Sequence, residues 1–125
     1  MIKGIHHISM KCGTQTDYSP AKEFYRNVLN LSLKREWPEG IMIDTGNGLI
    51  ELFCNGEGCR TKGALRHFAL LTDDVDGLAQ RIRVAGYKVF IEPNDIVIDS
   101  KPPYPARMAF CIGPLGEEIE LFCER

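Results

Sequence analysis

The chain has 125 residues, a length typical of a single domain, and 44% of them are hydrophobic, which is enough for a buried core. Its formal net charge is −2, and its lysines and arginines are scattered, which argues against nucleic acid or a membrane surface as a partner. No apolar run approaches the roughly 18 residues of a transmembrane helix, and the N-terminus lacks a signal-peptide core, so we expect a cytoplasmic protein with a small-molecule partner.

The first half of the chain predicts a strand, a helix and three further strands. Residues 5–11 mix polar and apolar side chains with β-branched isoleucines, as strands do. A helix is predicted to begin at Ser19-Pro20, because serine caps helices and proline is favoured at the first helical position, and to end near Asn30. Three short strands follow, the last two joined by a hairpin turn at an Asn-Gly pair: residues 31–37, 40–45 and 49–54.

The second half predicts the same order of elements after a polar, glycine-rich linker. Residues 65–71 predict a strand, and apolar side chains at helical spacing predict a helix from Val75 that ends at Gly86. Three more strands are predicted at 87–92, 106–112 and 118–122, with residues 96–98 as a candidate extension of the first.

A repeated pentapeptide, Ile-Glu-Leu-Phe-Cys, relates the two halves. It occurs at residues 50–54 and again at 119–123, in the fourth strand of each half. The sequence therefore predicts two tandem βαβββ modules, an α+β fold. When the modules are aligned, His7 matches His67 in the first strands, and Glu51 matches Glu120 in the fourth.

These four residues make a candidate metal site. A carboxylate inside an apolar strand is costly unless it is paired or bound to a cation. Taken singly, each histidine is ordinarily a hydrogen-bonded residue and each glutamate an edge or solvent-reaching carboxylate, but their recurrence at matching positions favours a shared role. Two imidazoles and two carboxylates suit Zn²⁺, Ni²⁺, Co²⁺, Mn²⁺ or Fe²⁺. His6 competes with His7, but strand alternation predicts that it lies on the opposite face.

The five cysteines do not suggest a second site. They are odd in number and lack CxxC spacing, which argues against a disulfide framework and a cysteine-rich zinc site. We expect reduced thiols, most of them buried. They are Cys12, Cys54, Cys59, Cys111 and Cys123.

The whole chain resembles the glyoxalase I branch of the vicinal oxygen chelate superfamily. The resemblance depends on the segments IHHI, KEFYRNVLNLSL, LIELFCN, LRHFALLTDDVDGLAQRIRVAGY and GPLGEEIELFCE. It implies one domain over 1–125, with module one at 1–55, a linker at 56–63 and module two at 64–125. The modules are expected to form a curved mixed sheet, a half-barrel around a metal, in a homodimer with sites at the interface.

The resemblance also implies an activity and a role for each ligand. Glyoxalase I converts the hemithioacetal of a 2-oxoaldehyde and a thiol into a 2-hydroxyacyl thioester through an enediolate. The implied ligands of one divalent ion, with nickel or cobalt favoured and zinc, manganese or iron also suitable, are His7, Glu51, His67 and Glu120. Glu120 is the implied base, and Glu51 is a ligand and second proton carrier.

Substrate contacts and competing functions follow from the same resemblance. Asn55 and Lys11 match positions that contact the thiol, and Arg107 is a further candidate for an anionic group. Asn55 is equally typical of a turn, and lysine offers a point charge where the family often has an arginine. Methylmalonyl-CoA epimerases, which commonly carry glutamine at the Glu51 position, are the nearest alternative, and a metal-free bleomycin-resistance-type binding protein is another.

Overall fold

The structure, a computed structural model, describes residues 1, 3–56 and 63–125. Cys59 and most of the predicted linker lie outside these residues. The chain divides into two compact units, Met1–Arg60 and Thr61–Arg125. Each unit contains one four-stranded mixed sheet and one helical segment, so the predicted pair of βαβββ modules is confirmed.

The two modules have the same strand order. Module one orders its strands β1-β4-β3-β2, and module two orders them β5-β8-β7-β6. The first and fourth strands of each module pair in parallel, and the other neighbours are antiparallel. Module one consists of β1 (His7–Lys11), α1 (Gln15–Glu23) with a π-helical continuation (Phe24–Val28), β2 (Ser32–Trp37), β3 (Gly40–Asp44) and β4 (Leu49–Phe53). Module two consists of β5 (Phe68–Leu71), α2 (Val75–Val84), β6 (Val89–Ile98), β7 (Tyr104–Ile112) and β8 (Glu118–Glu124).

The predicted start of the first helix was wrong. Helix α1 begins at Gln15 after Thr14, and Pro20 lies in its second turn rather than at its first position. Proline lacks the backbone N–H, so the helix gives up one internal hydrogen bond there and still continues. The predicted end holds, since Asn30 has a positive φ of 57° just beyond the π-helical segment.

The second helix follows its sequence pattern more closely. Asp74 caps α2 by accepting a hydrogen bond from the Gly77 backbone N–H at 2.8 Å. Gly86, with a φ of 95°, ends the helix as predicted. None of the helices in the described part of the chain is long and apolar enough to cross a membrane.

Strand β6 is longer than predicted, because the two runs proposed for it form one strand. It is an edge strand, and its pairing with β7 shifts register between Ile91 and Asn94. Pro93 falls inside that irregularity, where a missing ladder donor is tolerated. The predicted run ends at Glu92, just before this proline, whereas the strand continues to Ile98.

Side chains alternate between two faces of each sheet, and one face of each forms the core. In module one, Ile50 and Leu52 of β4 are buried, as are Phe24 and Tyr25 of the helical segment. Glu51 lies between the two aliphatic residues in sequence, so its side chain points to the other face of β4. The same alternation in β8 separates Glu120 from Ile119 and Leu121, which are both buried, with an exposure of 0%.

The four described cysteines form no disulfide bonds. Cys12 and Cys111 are buried, and Cys54 and Cys123 are partly exposed. Burial, together with a smaller effect of the nearby Glu117 carboxylate, raises the pKa of the Cys111 thiol to about 12. The Cys111 thiol is therefore protonated and unreactive near neutral pH.

Candidate functional site

Module one places one imidazole beside one carboxylate. Glu51 pairs in register with Ser9 of the parallel strand β1, so His7, two residues before Ser9, lies on the same face of the sheet. His7 Nε2 is 3.6 Å from Glu51 Oε1. The Glu51 side chain is only 10% exposed, whereas that of His7 is 38% exposed. The pair thus joins a buried carboxylate to a ring that solvent can reach.

Module two repeats this arrangement. Glu120 pairs with Ala69 of the parallel strand β5, and His67 again precedes that register partner by two residues. His67 Nε2 is 3.2 Å from Glu120 Oε2, with side-chain exposures of 40% and 14%. The His67 ring also makes an edge contact with Phe110, at 5.0 Å between centroids. Residues that align between the two modules therefore form His–Glu pairs of similar geometry.

The distances inside each pair fit two ligands of one transition ion. Donor atoms at about 2.1 Å from an ion lie about 3.0 Å apart at an octahedral angle and about 3.4 Å apart at a tetrahedral one. The observed 3.6 and 3.2 Å are close to these values. Among residues 1, 3–56 and 63–125, however, no three His, Cys, Asp or Glu side chains are grouped closely enough to hold a metal. The structure brings the four predicted ligands together as two pairs, one in each module.

Strand alternation predicted that His6 lies on the opposite face from His7, but the two side chains are in contact. Its Nδ1 is 2.9 Å from His7 Nδ1, and the two rings are almost perpendicular, at 87°. Strand β1 begins only at His7, so the alternation of a strand does not extend to His6. The His6 side chain is therefore in direct contact with the candidate ligand His7.

The Glu51 face of module one also carries two aromatic side chains and a cationic one. Lys11, Phe53, Gly40 and Trp37 follow one another across the four strands. The rings of Trp37 and Phe53 are in edge contact at 5.7 Å, and Lys11 Nζ lies 6.0 Å from the Phe53 ring centroid. We call Lys11, Phe53 and Trp37 the aromatic–lysine row. The position of Phe53 on this face is predictable from sequence, because Phe53 lies two residues after Glu51 in the same strand. The position of Trp37 beside it follows only from the pairing of β2 with β3 and of β3 with β4.

The matching row of module two is less polar. The positions of Lys11, Phe53 and Gly40 correspond to Leu71, Phe122 and Met108. Leu71 is 77% exposed. The duplicated modules thus keep the His–Glu pair and differ in the charge beside it.

The three predicted substrate contacts have different surroundings. Lys11 and Asn55 are exposed. Arg107 donates two hydrogen bonds to Asp76, at 2.6 and 2.7 Å, and one to Asp95 at 3.1 Å. These bonds raise the pKa of Arg107, and Arg107 lowers the pKa of Asp76. The guanidinium links α2 to β6 and β7 within module two, and its contact with substrate stays a prediction.

Two βαβββ modules with a His–Glu pair at matched positions are the architecture that the sequence resemblance implied. Residues 4–102 match the model of the Glyoxalase/Bleomycin resistance protein/Dioxygenase superfamily. The chain belongs to this superfamily.

Similar proteins are found among both sequences and solved structures. The uncharacterized protein YaeR of Escherichia coli K12 is 28% identical over 138 aligned residues, covering 97% of this chain and 96% of YaeR. A glyoxalase/bleomycin resistance protein/dioxygenase from Alicyclobacillus acidocaldarius has a TM-score of 0.71 at 18% identity, covering 97% of this chain and 91% of the other. The lactoylglutathione lyase of Agrobacterium tumefaciens has a TM-score of 0.67 at 19% identity, with coverages of 98% and 95%. At these identities the solved structures establish the shared fold.

Proposed function

We propose that the protein is a metal-dependent glyoxalase I-like lyase that converts a 2-oxoaldehyde–thiol hemithioacetal into a 2-hydroxyacyl thioester. The observation that carries this proposal is the duplicated His–Glu pair, with donor separations of 3.6 and 3.2 Å. The similarity to a protein named lactoylglutathione lyase supports it. The donor set of two imidazoles and two carboxylates suits nickel or cobalt, and also zinc, manganese or iron.

Each residue of the proposed site has a defined task. His7, Glu51, His67 and Glu120 would hold one divalent ion, which when bound supplies Lewis acidity to two adjacent substrate oxygens. Glu120 removes the carbon-bound proton of the hemithioacetal and delivers it to the neighbouring carbon. Glu51 is a ligand and second proton carrier. Their low exposure, 10% for Glu51 and 14% for Glu120, limits the exchange of a transferred proton with water.

The thiol is proposed to carry an anionic group, because a cationic side chain lies on the face of the His–Glu pair in one module only. Lys11 lies on the Glu51 face of module one, two residues beyond the register partner of Glu51. Module two has Leu71 at the matching position. Lys11 and Asn55 would contact a carboxylate of the thiol, with Arg107 as a further candidate. The protein is proposed to act as a homodimer.

The first experiment measures metal content, turnover and assembly on one preparation. Purified protein is expected to bind a transition ion and to form thioester from methylglyoxal with at least one of glutathione, coenzyme A and cysteine. His67→Ala is expected to lower the metal content, and light scattering should give the dimer mass.

The alternatives make different predictions in the same experiment. Bound ion without turnover for any thiol rejects the glyoxalase assignment and favours an epimerase or another isomerase. Metal content that is unaffected by His67→Ala favours a metal-free binding protein.

The role of Lys11 is tested by exchanging the residues that differ between modules. Lys11→Leu is expected to raise KM for the glutathione adduct about tenfold, equivalent to about 1.4 kcal/mol, with little change in kcat. The reason is that Lys11 would contact substrate away from the reacting carbon, in the ground state and transition state alike. Steady-state kinetics gives both constants.

Two controls separate charge from shape. Glutathione ethyl ester lacks the free glycyl carboxylate, so its KM should differ less between the wild-type protein and Lys11→Leu. Leu71→Lys changes the matching residue of module two and should leave KM for glutathione near the wild-type value. An equal rise in KM for both thiols would show that Lys11 does not bind the glycyl carboxylate.

A further inference from the structure

The contact between His6 and His7 constrains which nitrogen of each ring carries a proton. Two imidazole nitrogens 2.9 Å apart form a hydrogen bond only when one is protonated and the other offers its lone pair. A histidine that binds a metal through Nε2 carries its proton on Nδ1. If His7 binds through Nε2, its Nδ1–H must be the donor and His6 Nδ1 the acceptor.

The geometry already separates the two nitrogens of His7 in this way. Its Nε2 faces Glu51 Oε1 at 3.6 Å, which is longer than a hydrogen bond, while its Nδ1 is within hydrogen-bond distance of His6. The His6 backbone is fixed as well, because its carbonyl accepts a hydrogen bond from the Leu49 N–H at 3.1 Å. His6 is thereby anchored to β4, the strand that carries Glu51.

We propose that His6 is a positioning residue whose Nδ1 accepts the Nδ1–H of His7, which orients the His7 ring and leaves Nε2 free to bind the metal. This inference depends on the proposed metal site. Partners of this kind raise the basicity of a ligating histidine and fix its tautomer. They are usually carboxylates or backbone carbonyls, and here an adjacent imidazole takes that place.

Module two supplies a natural comparison. The residue before His67 is Arg66, and a guanidinium can donate hydrogen bonds but cannot accept one. The role assigned to His6 therefore has no equivalent at Arg66. Of the two ligating histidines, only His7 should depend on the side chain of the preceding residue.

The test compares three variants by two measurements. Co²⁺ affinity is measured by competition with a chelator, and proton NMR of the Co²⁺-loaded protein detects the exchangeable, paramagnetically shifted Nδ1–H of the ligating histidines. His6→Phe keeps a ring but removes the acceptor, and we expect the Co²⁺ dissociation constant to rise about tenfold and the His7 Nδ1–H to exchange faster with water. Tenfold is the lower end of the usual range, because both rings are exposed.

The remaining variants distinguish this role from a loss of packing. His6→Gln restores an acceptor oxygen and should recover most of the affinity and the slow exchange, and Arg66→Phe should change neither. Unchanged Co²⁺ affinity in His6→Phe, no recovery in His6→Gln, or an equal loss in Arg66→Phe would overturn the role of His6 alone. Failure of the wild-type protein to bind Co²⁺ would overturn both the proposed function and this inference.

Discussion

Replacing Glu120 with glutamine is expected to lower kcat for the methylglyoxal–glutathione adduct by about 10²- to 10⁴-fold. Glutamine keeps the shape and an oxygen donor, but it cannot accept a proton from carbon at neutral pH. Because Glu120 is also a proposed ligand, 3.2 Å from His67 Nε2, rates must be measured with the ion at saturating concentration. The expected result is a low kcat in a variant that still binds metal and folds.

Two other glutamates make this experiment specific. Glu124 lies on the same strand, and its carboxylate is hydrogen bonded to Tyr104, so Glu124→Gln should keep a near wild-type kcat. Glu51→Gln retains an oxygen ligand and is expected to affect metal affinity more than proton transfer. A large loss of kcat in Glu51→Gln, together with a small loss in Glu120→Gln at full metal occupancy, would assign the base to Glu51.

Replacing Gly40 with alanine is expected to destabilise the protein by about 2 to 3 kcal/mol. A Cβ atom on Gly40 would lie 2.8 Å from the Leu52 carbonyl oxygen, 2.8 Å from Trp37 Cζ2 and 3.2 Å from Phe53 Cδ1. The carbonyl belongs to the sheet backbone and cannot move away without disturbing the pairing of β3 with β4. The strain therefore falls on the strand that carries Glu51 and on the aromatic–lysine row.

Urea unfolding followed by fluorescence measures this loss. Trp37 is the only tryptophan of the chain and contacts the substituted position, so its emission reports on module one directly. Gly63→Ala is the matched control, since its Cβ would meet no atom within 4 Å. A Gly40→Ala protein as stable as Gly63→Ala would show that β3 can shift to make room.

The fold was predictable because the same order of strands and helix occurs twice in the chain, so the pattern in one half supports the prediction for the other. The repeated Ile-Glu-Leu-Phe-Cys identified the fourth strands, and alternation within them separated both glutamates from the buried isoleucines and leucines. The boundaries of helices and strands were less predictable where a proline, which disfavours both, lies inside the element. Pro20 is predicted at the first position of a helix and residues 87–92 and 96–98 as separate runs, but helix α1 continues through Pro20 and strand β6 through Pro93.

The candidate site was predictable only as far as local patterns reach. Strand alternation and module alignment gave each His–Glu pair, because these positions are fixed by register within one module. Arg107 looked available in sequence, but its partner Asp76 is 31 residues earlier, and only the fold brings them together. The His6 contact was missed because it lies at a strand end, where alternation no longer fixes side-chain direction.

The parallel pairing of first and fourth strands also sets the order in which the site can be assembled during protein synthesis. His7 precedes Glu51 by 44 positions (51 − 7), and His67 precedes Glu120 by 53 (120 − 67). Neither sheet can join its first strand to its neighbour until the fourth strand has left the ribosome. Each histidine is thus made long before its carboxylate, and the closure of each module and the formation of its His–Glu pair are one and the same folding event.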